Sequence, residues 1–198
     1  MKRLLLIIIL TFSLQSWTKA DDIRDFEIEG MSIGDSALKY FSKNELEDKK
    51  KHGFIYKNKD DKFYSATLHN KDYFKVYDSV QLHLKKNDKK YIIYAIAGYN
   101  FFENNINECF KKVDEVSIDI SDLLKDFKKE SSKGKHKADP SGKSKFKRVS
   151  YQHKTGYVYI ECWDWSDEIT REKQWTDNFG VTISSIEFNK WMATKAYK

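Results

Sequence analysis

Asn105–Phe127, NINECFKKVDEVSIDISDLLKDF, is the stretch whose reading decides the fold. Apolar residues fall at Ile106, Cys109, Phe110, Val113, Val116, Ile120, Leu123, Leu124 and Phe127. Spacing of three and four draws one stripe down a helix. Asn105 is an N-cap residue type, and Glu108 stands three residues on as its reciprocal partner. Lys111, Lys112, Asp114, Glu115, Asp119, Asp122 and Lys125 fill the opposite face. At about 1.5 Å per residue such a rod is roughly 35 Å long, enough to cross a small sheet. Val116, Ile118 and Ile120 also fit a short alternating strand, but only Ile118 misses the helical template.

Working outward, the flanks are rich in strands. Phe54–Tyr56, Phe63–His69, Phe74–Leu84 and Tyr91–Ala97 precede the rod, with Asn87-Asp88 as a turn. In Phe74–Leu84 apolar and polar residues alternate, broken once by Asp78. Phe146–His153, Tyr157–Trp165 and Phe179–Ile183 follow the rod. Short polar turns between close strands predict antiparallel meanders. Ahead of them, Ala37–Phe41 and a capped helix over about Lys43–Lys51 form a helix pair. Ser184 and Glu187 open a terminal amphipathic helix carrying Phe188, Trp191, Met192 and Ala196. The expected fold is therefore α+β: antiparallel meanders packed on a long central helix, with an N-terminal helix pair and a C-terminal helix.

Met1–Ala20 reads as a signal peptide. Lys2 and Arg3 precede the apolar run Leu4–Leu14, and Thr18-Lys19-Ala20 ends in residues suited to signal peptidase. The run is short for a membrane span, and no cysteine follows for lipidation. Cleavage after Ala20 leaves 178 residues, enough for one domain, 21–198. It also lowers the formal net charge from +6 to +3, because the segment holds Lys2, Arg3 and Lys19 and no acid. No second long apolar run remains, so the mature chain is expected to be soluble and exported, in the periplasm or beyond. The remaining basic excess is local. Residues 128–148 carry nine Lys or Arg against Glu130 and Asp139. Ser131–Ser144 includes the chain's only proline, and this region reads as an exposed Lys-rich loop. Its lysines, Lys135 and Lys143 among them, could touch acidic lipid headgroups or cell-wall polymers. Nucleic acid is not an expected partner of an exported chain.

Cys109 and Cys162 are the only cysteines. An even number in an exported chain reads as a disulfide. Cys109 lies on the helical stripe, and Cys162 shares a strand face with Val158 and Ile160. The closed loop spans 53 residues, worth about 4 kcal/mol in the chain-entropy model. The opposite strand face holds Tyr157, Tyr159, Trp163 and Trp165, interrupted by Glu161. Either it is a stacking platform for sugar or peptide, or it is a second core layer under the C-terminal helix.

Motifs of chemistry are weak. Gly142-Lys143-Ser144 lacks the earlier glycine of a phosphate loop, since Lys137 occupies its place. Gly30-Met31-Ser32-Ile33-Gly34 matches a nucleophile elbow, but a single strand precedes it. His69, His83 and Asp78 lack ligand spacing, so no metal or cofactor is expected.

Gly34-Asp35-Ser36 resembles the nucleophile block of the GDSL-type esterases and lipases, and Gly98-Tyr99-Asn100 resembles their Gly-x-Asn block. The resemblance implies Ser36 as nucleophile and Asn100 as an oxyanion donor. The family's Asp-x-x-His motif is missing, because none of the five histidines has an aspartate three residues before it. The stretch GMSIGDSALKYF (residues 30–41), followed by a second helix and a meander, resembles the entry of small SmpA/OmlA-type envelope proteins over Ile28–Ala97. That resemblance implies a structural turn and action through protein contacts. It departs in lacking a lipidated cysteine and in the further hundred or so residues. The combined expectation is a periplasmic binding or protein-interaction module meeting envelope proteins or cell-wall polymers. The alternatives are an esterase using Ser36, or a carbohydrate binder using Trp163 and Trp165.

Overall fold

The computed structural model describes residues 21–197 apart from 51–52, 55, 57–61, 70–72 and 103–104. The expected signal peptide, 1–20, lies outside the described residues. In chain order the elements are β1 (Glu27–Ile28), β2 (Met31–Ser32), α1 (Lys43–Lys50), β3 (Phe63–Leu68), β4 (Ser79–Lys85) and β5 (Ile93–Phe101). Then come α2 (Ile106–Asp119), β6 (Lys128–Lys135), β7 (Lys145–His153), β8 (Gly156–Asp164), α3 (Asp167–Lys173), β9 (Asn178–Ser185) and α4 (Ile186–Thr194).

The expected pair of meanders on a long central helix is overturned. Seven strands form one sheet in the order β3-β4-β5-β9-β8-β7-β6, and β1 and β2 make a separate small hairpin. Every neighbouring pair in the large sheet is antiparallel. β9 lies between the two groups of strands and joins them. Its partners on the β5 side are 77 to 89 residues away in the chain, from Phe101↔Asn178 to Ala95↔Ser184. No local spacing advertises such a pairing.

α2 is shorter than the apolar stripe suggests. It begins as read, with the Asn105 carboxamide oxygen accepting from the Glu108 N–H, and it stops at Asp119. Two forces end it. No basic side chain stands in its last turn, while Asp119 and Asp122 bring negative charge to the negative end of the helix dipole. The Ser117 and Ser121 hydroxyls also donate back to the Asp114 and Ile118 carbonyls, in competition with the helical ladder. Tight turns follow, with Leu124 N–H bonding to Ile120 and Ser121 and Phe127 N–H to Leu124. Ile120, Leu124 and Phe127 nevertheless stay buried. The stripe recorded burial, and turns carry it past the end of the helix. Ile118, the residue off the template, is 68% exposed.

α2 covers one face of the sheet over β7, β8 and β9. Its Cys109 and Val113 join Val149, Tyr151, Val158, Ile160, Cys162, Phe179 and Ile183 in the main core. A disulfide links Cys109 to Cys162, with Cα atoms 5.9 Å apart. The Tyr151 hydroxyl donates to the Ser117 carbonyl at 2.8 Å. The other face is covered by α4, capped by Ser185 rather than Ser184. There Phe63, Ala95, Phe188, Trp191, Tyr56 and Ala196 form a second core. The buried His83 lies in this layer, its Nδ1 2.5 Å from the Tyr56 hydroxyl and its ring against Phe188.

Other boundaries moved for local reasons. β4 begins at Ser79 rather than Phe74, because the Glu29 carboxylate accepts from the Lys75, Val76 and Tyr77 N–H groups. The first member of the helix pair is a single 3-10 turn, Ala37–Lys39. α3 has no counterpart in the sequence reading, although Ser166 caps it. At Gly180 an added Cβ would sit 2.9 Å from the Tyr99 ring, so β9 passes there only without a side chain. Residues 128–148 are exposed for much of their length but are not a loop: they form most of the β6–β7 hairpin.

Two outcomes test this packing. Cys109→Ala/Cys162→Ala is expected to lower unfolding free energy by about 2–4 kcal/mol through release of loop entropy, read as a lower urea midpoint with sheet circular dichroism retained. The second concerns pH. Burial holds the His83 imidazole neutral, with its pKa pushed down to about 3. The unfolded chain binds that proton below about pH 6.5 and the native state does not, so stability is full above that pH and falls as pH drops toward the folded value. The slope from this residue is at most about 1.4 kcal/mol per pH unit. Asp22, Asp35 and Glu187, whose pKa values are also lowered, join only below about pH 4.5. Urea titrations between about pH 7 and 5 check the histidine contribution; a slope unchanged in His83→Gln would contradict it.

Candidate binding surface at the outer sheet edge

The residues singled out for esterase chemistry do not meet. Ser36 caps the 3-10 turn: its hydroxyl donates to the Lys90 carbonyl at 2.6 Å and accepts from the Leu38 N–H. It pairs with Ile92, just before β5. Asn100 lies near the far end of β5 and donates to the Val76 carbonyl at 2.9 Å. At about 3.3 Å per residue, Ile92 and Asn100 are roughly 26 Å apart. Both side chains hold backbone, and no nucleophile–oxyanion arrangement arises from them.

Trp163 and Trp165 project from one face of the end of β8. Their rings stack with centroids 5.7 Å apart and planes within 8°. Trp175 packs on Trp165 at 4.7 Å, and Phe146 lies 5.5 Å from Trp163. The His136 ring stands edge-on to both indoles at 4.8 and 4.6 Å. The Arg148 guanidinium sits 5.3 Å from both the Trp163 and Tyr159 rings. A sugar platform needs an open ring face, and here the indoles are flanked on both sides. The cluster lies beside the α4 layer rather than under it, linked by the Tyr159 hydroxyl donating to Asn189 Oδ1 at 2.8 Å.

Arg148 also pairs with the buried Glu161, through Nε at 2.6 Å and a terminal nitrogen at 2.5 Å from one carboxylate oxygen. Burial raises the Glu161 pKa, and Arg148 opposes that rise. The hairpin tip is tied down by Asp139. Its carboxylate accepts from the Ser144 hydroxyl and N–H at 2.7 and 2.8 Å and from the Ser141 N–H at 2.8 Å. These bonds hold its pKa well below the carboxylate range. The Ser144 hydroxyl accepts from the Ser166 N–H at 2.9 Å, which anchors the tip to the cap of α3. Lys143 pairs with Glu168 on that helix at 2.9 Å.

β6 is the outer strand, and all eight of its residues are exposed. The opposite edge, β3, is mostly buried: α1 packs against it, and the Ser65 hydroxyl bonds to the Phe54 carbonyl. On β6 and β7 like charges stand directly opposite each other, Lys133↔Lys147 and Lys135↔Lys145, an arrangement that destabilises a strand pair. Lys147 is drawn to Asp114 and the Phe110 carbonyl on α2, and Lys145 acts on Asp164. Lys133 and Lys135 have no ion pair among the described residues. Lys135 was legible as a candidate. Lys133, Lys145 and Lys147 were missed, although their two-residue spacing is a strand signal once the stretch is read as a hairpin.

Arg148→Met is expected to destabilise the fold on the order of 3 kcal/mol at neutral pH, because it strands a buried carboxylate. The loss should shrink under mild acid as Glu161 takes up a proton. An equal loss at both pH values in urea titrations would remove Glu161 as its cause.

Comparison with protein-family models, curated proteins and solved structures returned no match, so the reading of this surface rests on its own geometry.

Proposed function

We propose that the mature chain is an exported, periplasmic interaction module that works by contact and presents the outer strand of its sheet to a partner in the cell envelope. The observation that carries this reading is β6: eight consecutive exposed residues on an outer strand of a seven-stranded sheet. An edge strand is a template for another chain, and lysines on it, as on β6, turn away strands that do not neutralise them; this edge is held in place from behind by the Asp139 network and the Arg148–Glu161 pair.

Export is supported by the charged and apolar regions of Met1–Ala20 and by the Cys109–Cys162 disulfide, which suits an oxidising compartment. Among the described residues, no helix is long and apolar enough to cross a membrane. The likeness of residues 30–41 to the entry of SmpA/OmlA-type proteins points the same way.

The test uses the whole protein in the exporting cell. The intact mass is expected to begin at Asp21. A photo-crosslinking residue at Ser131 is expected to capture a defined envelope partner, and one at Thr67 on β3 is not. Equal capture at both positions, or at neither, would overturn the assignment of β6 as the contact surface.

A further inference from the structure

We infer that the occupant of this edge is an extended segment of a partner protein, which adds to β6 as an eighth strand and carries carboxylates at alternate positions. The inference rests on the proposal that β6 is the contact surface.

The first argument is the phase of the β6–β7 ladder. His136 N–H donates to the Ser144 carbonyl at 2.9 Å, one step beyond the Lys135↔Lys145 pair. In an antiparallel pair, bonded and non-bonded positions alternate, and the register here runs without a shift. Gly134, Ser132 and Glu130 therefore direct their backbone groups inward to β7. Lys135, Lys133, Ser131 and Lys129 direct theirs outward. Three of the four positions whose backbone groups are open to a further strand thus carry lysine.

The second argument is charge. Those four residues share the face that carries Lys145 and Lys147 on β7. A residue bonded to Lys133 or Lys135 from an eighth strand would place its side chain on that same face. A carboxylate there offsets the two like-charge oppositions. The other face of β6 offers Lys128, already paired with Glu130 at 2.7 Å, then Ser132 and Gly134, which favours small neutral residues between the acids. This alternation is the specificity of strand addition: the backbone supplies attachment and alternate side chains supply selection. A second copy of this chain fits poorly, because β6 against β6 sets lysines on lysines.

The probe is a capped, fluorescent peptide alternating glutamate and threonine, titrated into the disulfide-bonded mature protein. It is expected to bind, and salt should weaken it. Two changes remove hydrogen bonding without altering charge on the peptide or the acidic pattern it presents. One is N-methylation of alternate peptide amides. The other is Ser131→Pro, which removes an outward N–H at an edge position where proline is tolerated. Each is expected to weaken binding by about tenfold or more, as is Lys133→Glu/Lys135→Glu. Retained native circular dichroism shows that the variants are folded.

Unchanged binding of the methylated peptide and of Ser131→Pro, with displacement by polyphosphate, would overturn strand addition in favour of a polyanion surface. Absence of peptide binding while Ser131 still crosslinks in the envelope would sink the acidic-strand inference alone. Absence of both would remove the contact surface as well.

Discussion

Strand β9 is bonded along its length to β5 on one side and to β8 on the other, and among the described strands it alone joins the two halves of the large sheet by hydrogen bonds. Its side chains enter the main core through Phe179 and Ile183, and it leads directly into α4, whose Phe188 and Trp191 close the second core. Both hydrophobic layers therefore combine residues that are far apart in the sequence. Pairings of this sequence separation close larger loops than local hairpins do, at about 0.6 kcal/mol for each doubling of loop length. β6–β7–β8, by contrast, is a pair of short hairpins that can pair locally.

What was legible in the sequence follows from this. Apolar patterning and turn residues located β3, β5, β7, β8 and β9 approximately, and the even cysteine count together with their faces located the disulfide. Side-chain pattern reports which residues are buried; it does not report which distant strand they pair with, so the insertion of β9 between β5 and β8 left no trace. The same limit lengthened α2: Leu124 and Phe127 belong to the buried stripe, but the serines and aspartates around Asp119 end the helix by competing for its backbone. Breaker residues misled in the opposite direction. Ser131, Ser132 and Gly134 have low strand preference in general, yet an edge strand with solvent on both faces needs no apolar side, and β7 supplies the hydrogen bonds.

The candidate surface was partly visible for a related reason. Lys135 and Lys143 stood out as charge, whereas their roles differ once the hairpin is built. Lys143 is tied to Glu168 at the hairpin tip, while Lys135 stands opposite Lys145. Ser36 and Asn100 matched three-residue motifs, which sample composition more than geometry; the length of β5 separates them.

The paired indoles of Trp163 and Trp165 have a consequence of their own. Two indoles with centroids 5.7 Å apart couple optically, with a sign and strength set by the angle between their transition dipoles. His136, whose pKa is lowered by burial and by Arg148, leans on both rings from the root of the hairpin tip. Displacement of that tip alters the coupling and the quenching of the indoles together. The molecule thus carries an internal optical gauge beside its outer strand, readable without any label.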